Sequence, residues 1–210
     1  MAGGVRDRMV AGAVRLLARR GLQATSFSTV LAETGAPRGS IYHHFPGGKD
    51  ELVSAAIAAT EEHALRLLDQ QPGASALQVA ESFLGAWRAL LTGADFDAGC
   101  ALVAVTVAAD TPHPRERAAD AFRAWRHRLA RALNEGGLEV ASAEATAMLL
   151  LAASEGAVVM SRAERDIRPF ETVAAELLTH VRNLVDDLPA HDRWLDRAGE
   201  PGQRCGLADG

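Results

Sequence analysis

Apolar residues in the first twenty positions return every third or fourth place. Met9, Val10, Ala13, Val14 and Leu17 share one side of a 3.6-residue winding, which predicts a helix from Val5 to Arg20, closed by Gly21 in a left-handed cap. Thr25 is read as the cap of a short second helix, with Val30 and Leu31 facing inward before Gly35. After the break at Gly35, Ala36 and Pro37, the proline presets the first turn of a third helix running through Phe45. Pro46, Gly47 and Gly48 interrupt again. Lys49, Asp50 and Glu51 then open a long helix bearing Leu52, Ala56, Ala59, His63 and Leu67.

The rest of the chain repeats this pattern. Leu77, Ala80, Leu84, Trp87 and Leu91 mark a fifth helix after the turn at Pro72 and Gly73, with Gly93 as its stop. Cys100 to Ala109 is apolar on every side, so periodicity does not separate buried helix from buried strand. Helix is preferred, because a lone strand leaves its amides unpaired. Ala118, Phe122, Trp125, Leu129 and Leu133 form the next stripe, ending at Gly136 and Gly137. Ser142 is read as the cap of an eighth helix through Met148, Leu151 and a cluster of small residues. Pro169 opens a last helix with Phe170, Val173, Leu177, Val181 and Leu184 on one side, ended by Pro189. The fold class is therefore all-α, about nine helices: a three-helix head at 1–48, a helical body at 49–189, and a polar, mobile tail at 190–210 with Trp194 as its one candidate anchor.

Charge sharpens this division. The net charge is −5, which by itself speaks against a polyanion partner. Yet the first 50 residues hold seven cations (Arg6, Arg8, Arg15, Arg19, Arg20, Arg38, Lys49) against Asp7, Glu33 and Asp50. The head is thus +4 and the remainder −9, as suits a polyanion-binding head on an acidic body. No stretch reaches the roughly 20 uninterrupted apolar residues of a bilayer crossing, and no apolar signal core follows Arg6 and Arg8. The chain is read as cytoplasmic, without a membrane partner, and with Cys100 and Cys205 reduced.

Two short helices joined by a Gly-containing turn, the second polar and basic, make a helix-turn-helix whose recognition helix spans Arg38 to His44. Arg38 reaches a phosphate or a guanine edge, Gly39 permits close backbone approach, and Ser40, Tyr42, His43 and His44 supply donors. Lys49 and the start of the following helix suit another phosphate. Ile41 and Phe45 point inward. The stretch TSFSTVLAETGAPRGSIYHHFPGGKDE, Thr25 to Glu51, resembles the DNA-binding signature of the tetracycline-repressor (TetR) family. GCALVAVTVAAD (Gly99 to Asp110), after GGKDELV (Gly47 to Val53), is similar to the LmrA/YxaF-like branch. The resemblance implies a homodimer on double-stranded operator DNA, an interface built from the last two helices, and release by a small-molecule effector. It also implies that Thr25, Ser26 and Ser28 lie near the phosphates. Pro37 departs from the pattern, standing where many relatives have a capping Ser or Thr.

In the body, the candidate lining of an effector pocket is Phe83, Trp87, Cys100, Val103, Val107, Phe122, Trp125, Met148, Leu151 and Glu155. Plain core packing is the rival reading for each aromatic. Glu155, between Leu151 and Val158, needs a partner if buried. The candidate dimer face is Ala153, Gly156, Ala157, Met160, Val173, Leu177, Val181 and Leu184. His43 and His44 are neighbours that point in different directions and lack a third ligand, so no metal is expected, and no motif calls for a cofactor. A redox role for Cys100 finds no basic neighbour to lower its pKa. Two rivals remain: an enzyme acting on apolar substrates, for which no nucleophile–base spacing exists, and an architectural DNA binder without an effector.

Overall fold

Each amphipathic stretch becomes a helix because only one face is apolar enough to be buried, and the breaks fall at Gly and Pro. The computed structural model describes residues 4–69 and 72–187. Leu188, Pro189, Trp194, Cys205 and the tail at 190–210 lie outside the described residues. Among the described residues there are nine helices and no strand. They are α1 (Val5–Arg20), α2 (Phe27–Thr34), α3 (Arg38–His44), α4 (Lys49–Asp69), α5 (Ala76–Gly93), α6 (Ala101–Ala108), α7 (Pro112–Glu135), α8 (Val140–Glu164) and α9 (Arg168–Asp186).

Several helix ends differ by a residue or more from the sequence reading. Ser26, not Thr25, caps α2. Its hydroxyl accepts from the Thr29 amide, while Thr25 is wholly buried and donates to the Gly21 carbonyl at 2.8 Å. Either hydroxyl suits a cap, but the one beside an apolar pocket buries its methyl group. Pro37 is likewise the N-cap of α3, one place before the first turn. Glu139 caps α8 through the Ser142 amide, so Ser142 is the donor and not the cap. Gly21 ends α1 with a positive φ of 75°, yet its ψ of −178° sends the chain out extended rather than left-handed.

The head folds by close approach. Gly12 of α1 stands where a Cβ would fall 2.4 Å from Thr34 Cγ2, so only glycine lets α2 lie this near. Arg15 and Glu33 pair at 3.0 Å across the same contact. One hydrophobic core then runs without interruption from Met9 and Phe45 through Leu52, Leu102 and Leu129 to Phe170 and Val181. No apolar gap separates the two halves at residue 48. α1 packs on α4 and α6, α4 on α7, and α7 and α9 on α8. α5 is tied to α9 by Arg88, which donates to both Glu171 oxygens at 2.5 and 2.8 Å.

α8 is long and apolar enough to cross a membrane by length and composition, and 44% of its most apolar window is buried in the bundle. Its other side carries Met148, Leu149, Val159 and Met160 to the surface.

Candidate nucleic-acid interface and effector cavity

α3 is held from beneath. Ile41 is 1% exposed and Phe45 fully buried, which turns the opposite side of the helix outward: Arg38, Gly39, Tyr42 and His43 are exposed, and Tyr42 is 70% exposed. The Tyr42 ring stands edge-on to Phe27 of α2 at 5.5 Å, which fixes its direction without covering it. Arg6, one of the seven head cations, lies over the Phe45 ring at 5.3 Å. Ser40 is half-buried, its hydroxyl donating to the Pro37 carbonyl at 2.6 Å, and His44 is half-buried beside His43. Ser26 and Ser28 share a hydrogen bond at 2.8 Å at the start of α2. Thr25 is fully buried, away from any phosphate, which removes it from the expected contacts. The half-buried Lys49 ammonium spends one of its three donors on the Leu22 carbonyl at 2.9 Å, bracing the turn after α1.

The body contains an apolar cavity of about 450 Å³, within the size range of small-molecule sites. Its walls are Phe83, Trp87 and Leu90 of α5, Trp125 of α7, Cys100 at the start of α6, Thr60, His63 and Leu67 of α4, and Val14 and Ala18 of α1. Phe83 meets Trp87 edge-on at 6.5 Å. Trp125 is 7% exposed and its indole N–H has no hydrogen-bond partner among the described residues. Two walls therefore belong to α1 and α4, the helices that carry and follow the head.

The ten expected lining residues divide. Phe83, Trp87, Cys100 and Trp125 line this cavity. Phe122, Met148, Leu151 and Glu155 line a separate hollow of about 470 Å³ between α6, α7 and α8. Val103 is half-buried and lines neither, and Val107 is 78% exposed, pointing away from both. α6 is apolar but for Thr106, whose exposed position beside Val107 is the one polar mark of its outward side. Sequence reading placed Val14, His63 and Leu67 on helical stripes but missed that those stripes face a void. The i, i+4 spacing of Val14 with Ala18, and of His63 with Leu67, is the signal that was present.

Burial pushes the Glu155 carboxyl up to about 7, with a smaller opposing effect from the Cys100 thiol; its Oε1 has no partner. Burial also raises the Cys100 thiol well above its ordinary value, and the neighbouring Glu155 adds to this. Such a thiol is a poor nucleophile.

Of the expected dimer face, Gly156 and Met160 are exposed, and Ala153, Val173 and Leu184 are half-buried. Ala157, Leu177 and Val181 are instead sealed inside the protomer, where α8 and α9 pack on the core. The surface of α8 carries a continuous stripe at the helical repeat: Ala145, Met148, Ala152, Gly156, Val159 and Ala163.

Comparison with known proteins adds the following. Residues 9–56 match the bacterial regulatory proteins of the tetR family, and residues 76–176 match the C-terminal domain of LmrA/YxaF-like transcriptional regulators. The chain is 35% identical over 198 residues to the HTH-type transcriptional regulator Rv0196 of Mycobacterium tuberculosis, covering 90% of this chain and 99% of that one. It is 27% identical to the regulator YxaF of Bacillus subtilis, covering 86% and 96%. A crystal structure of a TetR regulator from Legionella pneumophila shares the fold, with a TM-score of 0.75 at 20% identity and coverage of 84% and 97%.

Proposed function

Because the chain belongs to the TetR family, with a C-terminal domain of the LmrA/YxaF-like kind, we propose that it represses transcription from a palindromic operator and is released by a small apolar effector. The family is one of DNA-binding transcriptional regulators and not of enzymes. In this reading Arg38, Gly39, Ser40, Tyr42, His43 and His44 meet the major groove, with Ser26 and Ser28 at the flanking phosphates and the protein in the cytoplasm with its DNA. Two copies join through the exposed stripe of α8 and the outer side of α9, so that two recognition helices face successive grooves.

The observation that carries the effector half of this proposal is the cavity wall contributed by Val14, Ala18, His63 and Leu67. A ligand seated there touches α1 and α4 directly. It selects the arrangement of those helices that best accommodates it, and the head moves with them. A tenfold loss of operator affinity requires about 1.4 kcal/mol of differential binding, within reach of an apolar ligand in a site this size. The same cavity weighs against an architectural DNA binder, which has no use for one.

The test is a fluorescence-anisotropy titration of the purified protein with the intergenic DNA upstream of its own gene, against a random duplex at one fixed salt concentration. Clear preference for the upstream DNA supports the proposal; equal affinity for both removes it.

A further inference from the structure

A second concavity lies at the junction between head and body, and charged side chains share its lining with Phe96, Val159 and Ala163. This groove, about 640 Å³, is bounded by Arg19 and Arg20 at the end of α1, by Phe96 and Asp97 in the loop joining α5 to α6, and by Arg162 and Arg165 near the end of α8, where it meets the last two residues of the exposed α8 stripe. It shares no lining residue with the apolar cavity.

The four guanidiniums divide by task. Arg162 donates to the carbonyls of Phe96 and Asp97 at 3.4 and 3.2 Å, and Arg165 pairs with Asp95 at 2.7 Å and Asp97 at 2.9 Å. These two hold the loop. Arg19 and Arg20 are exposed and have no hydrogen bond or ion pair among the described residues, although Arg19 acts on Asp97 through space. Against four cations stand two carboxylates, both already taken by Arg165.

The backbone points to the same place. Asp95, Phe96 and Arg165, with φ of 49°, 61° and 52°, are the non-glycine residues of positive φ among those described, and all three belong to this groove or its supports. Arg165 takes this conformation as the C-cap of α8, and Asp95 and Phe96 take it in the turn that closes α5, where the Phe96 amide donates to the Leu91 carbonyl at 2.8 Å and its ring packs partly against the core. The loop is also locked to both halves: the Gly99 amide donates to the Ala18 carbonyl at 2.9 Å, and a Cβ on Gly99 would fall 2.6 Å from the Arg162 guanidinium.

We propose that this groove binds a small phosphate-bearing anion, gripped by Arg19 and Arg20, with the Phe96 ring against its organic part. Planar guanidiniums match phosphate oxygens in paired hydrogen bonds, and Arg19 and Arg20, at the end of α1, both line the groove with their guanidiniums unengaged. Operator phosphates are not the partner. Arg6 sits over Phe45 at the recognition-helix end of α1, and a rise of about 1.5 Å per residue puts Arg20 roughly 20 Å further along. The bound anion ties the end of α1 to the loop joining α5 to α6 and so acts on the head from a site separate from the effector cavity.

The experiment is isothermal titration calorimetry of the full-length protein with inorganic pyrophosphate at low ionic strength. The expected result is saturable binding of one pyrophosphate per chain. Arg19→Gln with Arg20→Gln weakens it at least about tenfold, and Arg66→Gln, which removes an exposed arginine of α4, leaves it unchanged. Arg20→Glu alone gives the same loss if the double variant fails to fold by circular dichroism. Absence of saturable binding at millimolar pyrophosphate overturns the proposal, as does binding that survives loss of both arginines or falls equally in the Arg66 variant. Loss of operator affinity in the Arg19 and Arg20 double variant with no pyrophosphate present assigns these cations to DNA and overturns it as well.

Discussion

The Cys100 thiol faces the Glu155 carboxyl across the contact between α6 and α8, and desolvation raises the pKa of both groups. For Glu155 the shift is from an ordinary 4.5 to about 7, equivalent to roughly 3 kcal/mol. The sign follows from which state holds the proton. Below pH 4.5 both folded and unfolded chains are protonated there and the group costs nothing. Between 4.5 and 7 the unfolded chain ionises first, so stability falls as pH rises. Glu155→Gln therefore flattens the pH dependence over this window and raises stability at pH 8 by about 1–3 kcal/mol. Urea unfolding of both proteins at pH 5 and pH 8 checks it; identical slopes with pH count against it.

Trp125 lines the cavity and carries a buried N–H that has no hydrogen-bond partner among the described residues. A ligand whose acceptor reaches that donor satisfies it, and a hydrocarbon of the same shape does not. Displacement of the fluorescent apolar amine N-phenyl-1-naphthylamine is therefore expected to favour fluorenone over fluorene by about five- to tenfold, corresponding to about 1 kcal/mol. Trp125→Phe removes the preference while keeping the shape of the wall. A preference that persists in the variant places the acceptor elsewhere.

How much of this was legible beforehand varied with the evenness of the pattern. The amphipathic stripes of α1, α5, α7 and α9 announced both the helices and their buried faces, and the ordered run from Thr25 to Glu51 announced the exposed recognition helix. α6 and α8 were different. α6 is apolar but for Thr106, so its periodicity is too weak to separate Val107, which faces solvent, from Cys100 at its N-cap, which faces a cavity. α8 is apolar on two sides, and nothing local distinguishes Ala157, turned to the core, from Gly156, turned outward. Thr25 and Ser26 differ as caps only through which one the tertiary fold buries.

Tyr42 is expected to report on the DNA interface. Its ring leans on Phe27 and is otherwise exposed. Tyr42→Ala should lower affinity for specific and random duplex alike by about 1–2 kcal/mol, whereas Arg38→Ala also alters base preference. Anisotropy with operator variants separates the two. Unchanged affinity in the Tyr42 variant places the recognition helix elsewhere.

Gly12 gives a test of the head alone. Gly12→Ala drives a methyl group into Thr34 Cγ2 and should destabilise the fold by about 1–3 kcal/mol. Thr34→Ser deletes that carbon but keeps the hydroxyl bonded to the Val30 carbonyl, so the double variant recovers most of the loss. Additive losses in thermal melts argue that the clash is not the cause.

Gly156 lies at the centre of the exposed α8 stripe. Gly156→Arg places a long cation in any interface formed there and is expected to give monomers by light scattering, with helical content retained. A dimer that tolerates the arginine uses another surface.

The unbroken packing from α1 into α4, α6 and α7 bears on attempts to build hybrid sensors from this protein. Exchanging the first 48 residues for another reader would strip Val14 and Ala18 from the cavity and Ala18 from its bond to Gly99. A transplanted reader that lacks a matching α1 surface leaves the chimera with a damaged pocket, and under the proposed function it is expected to lose effector response before it loses its grip on DNA.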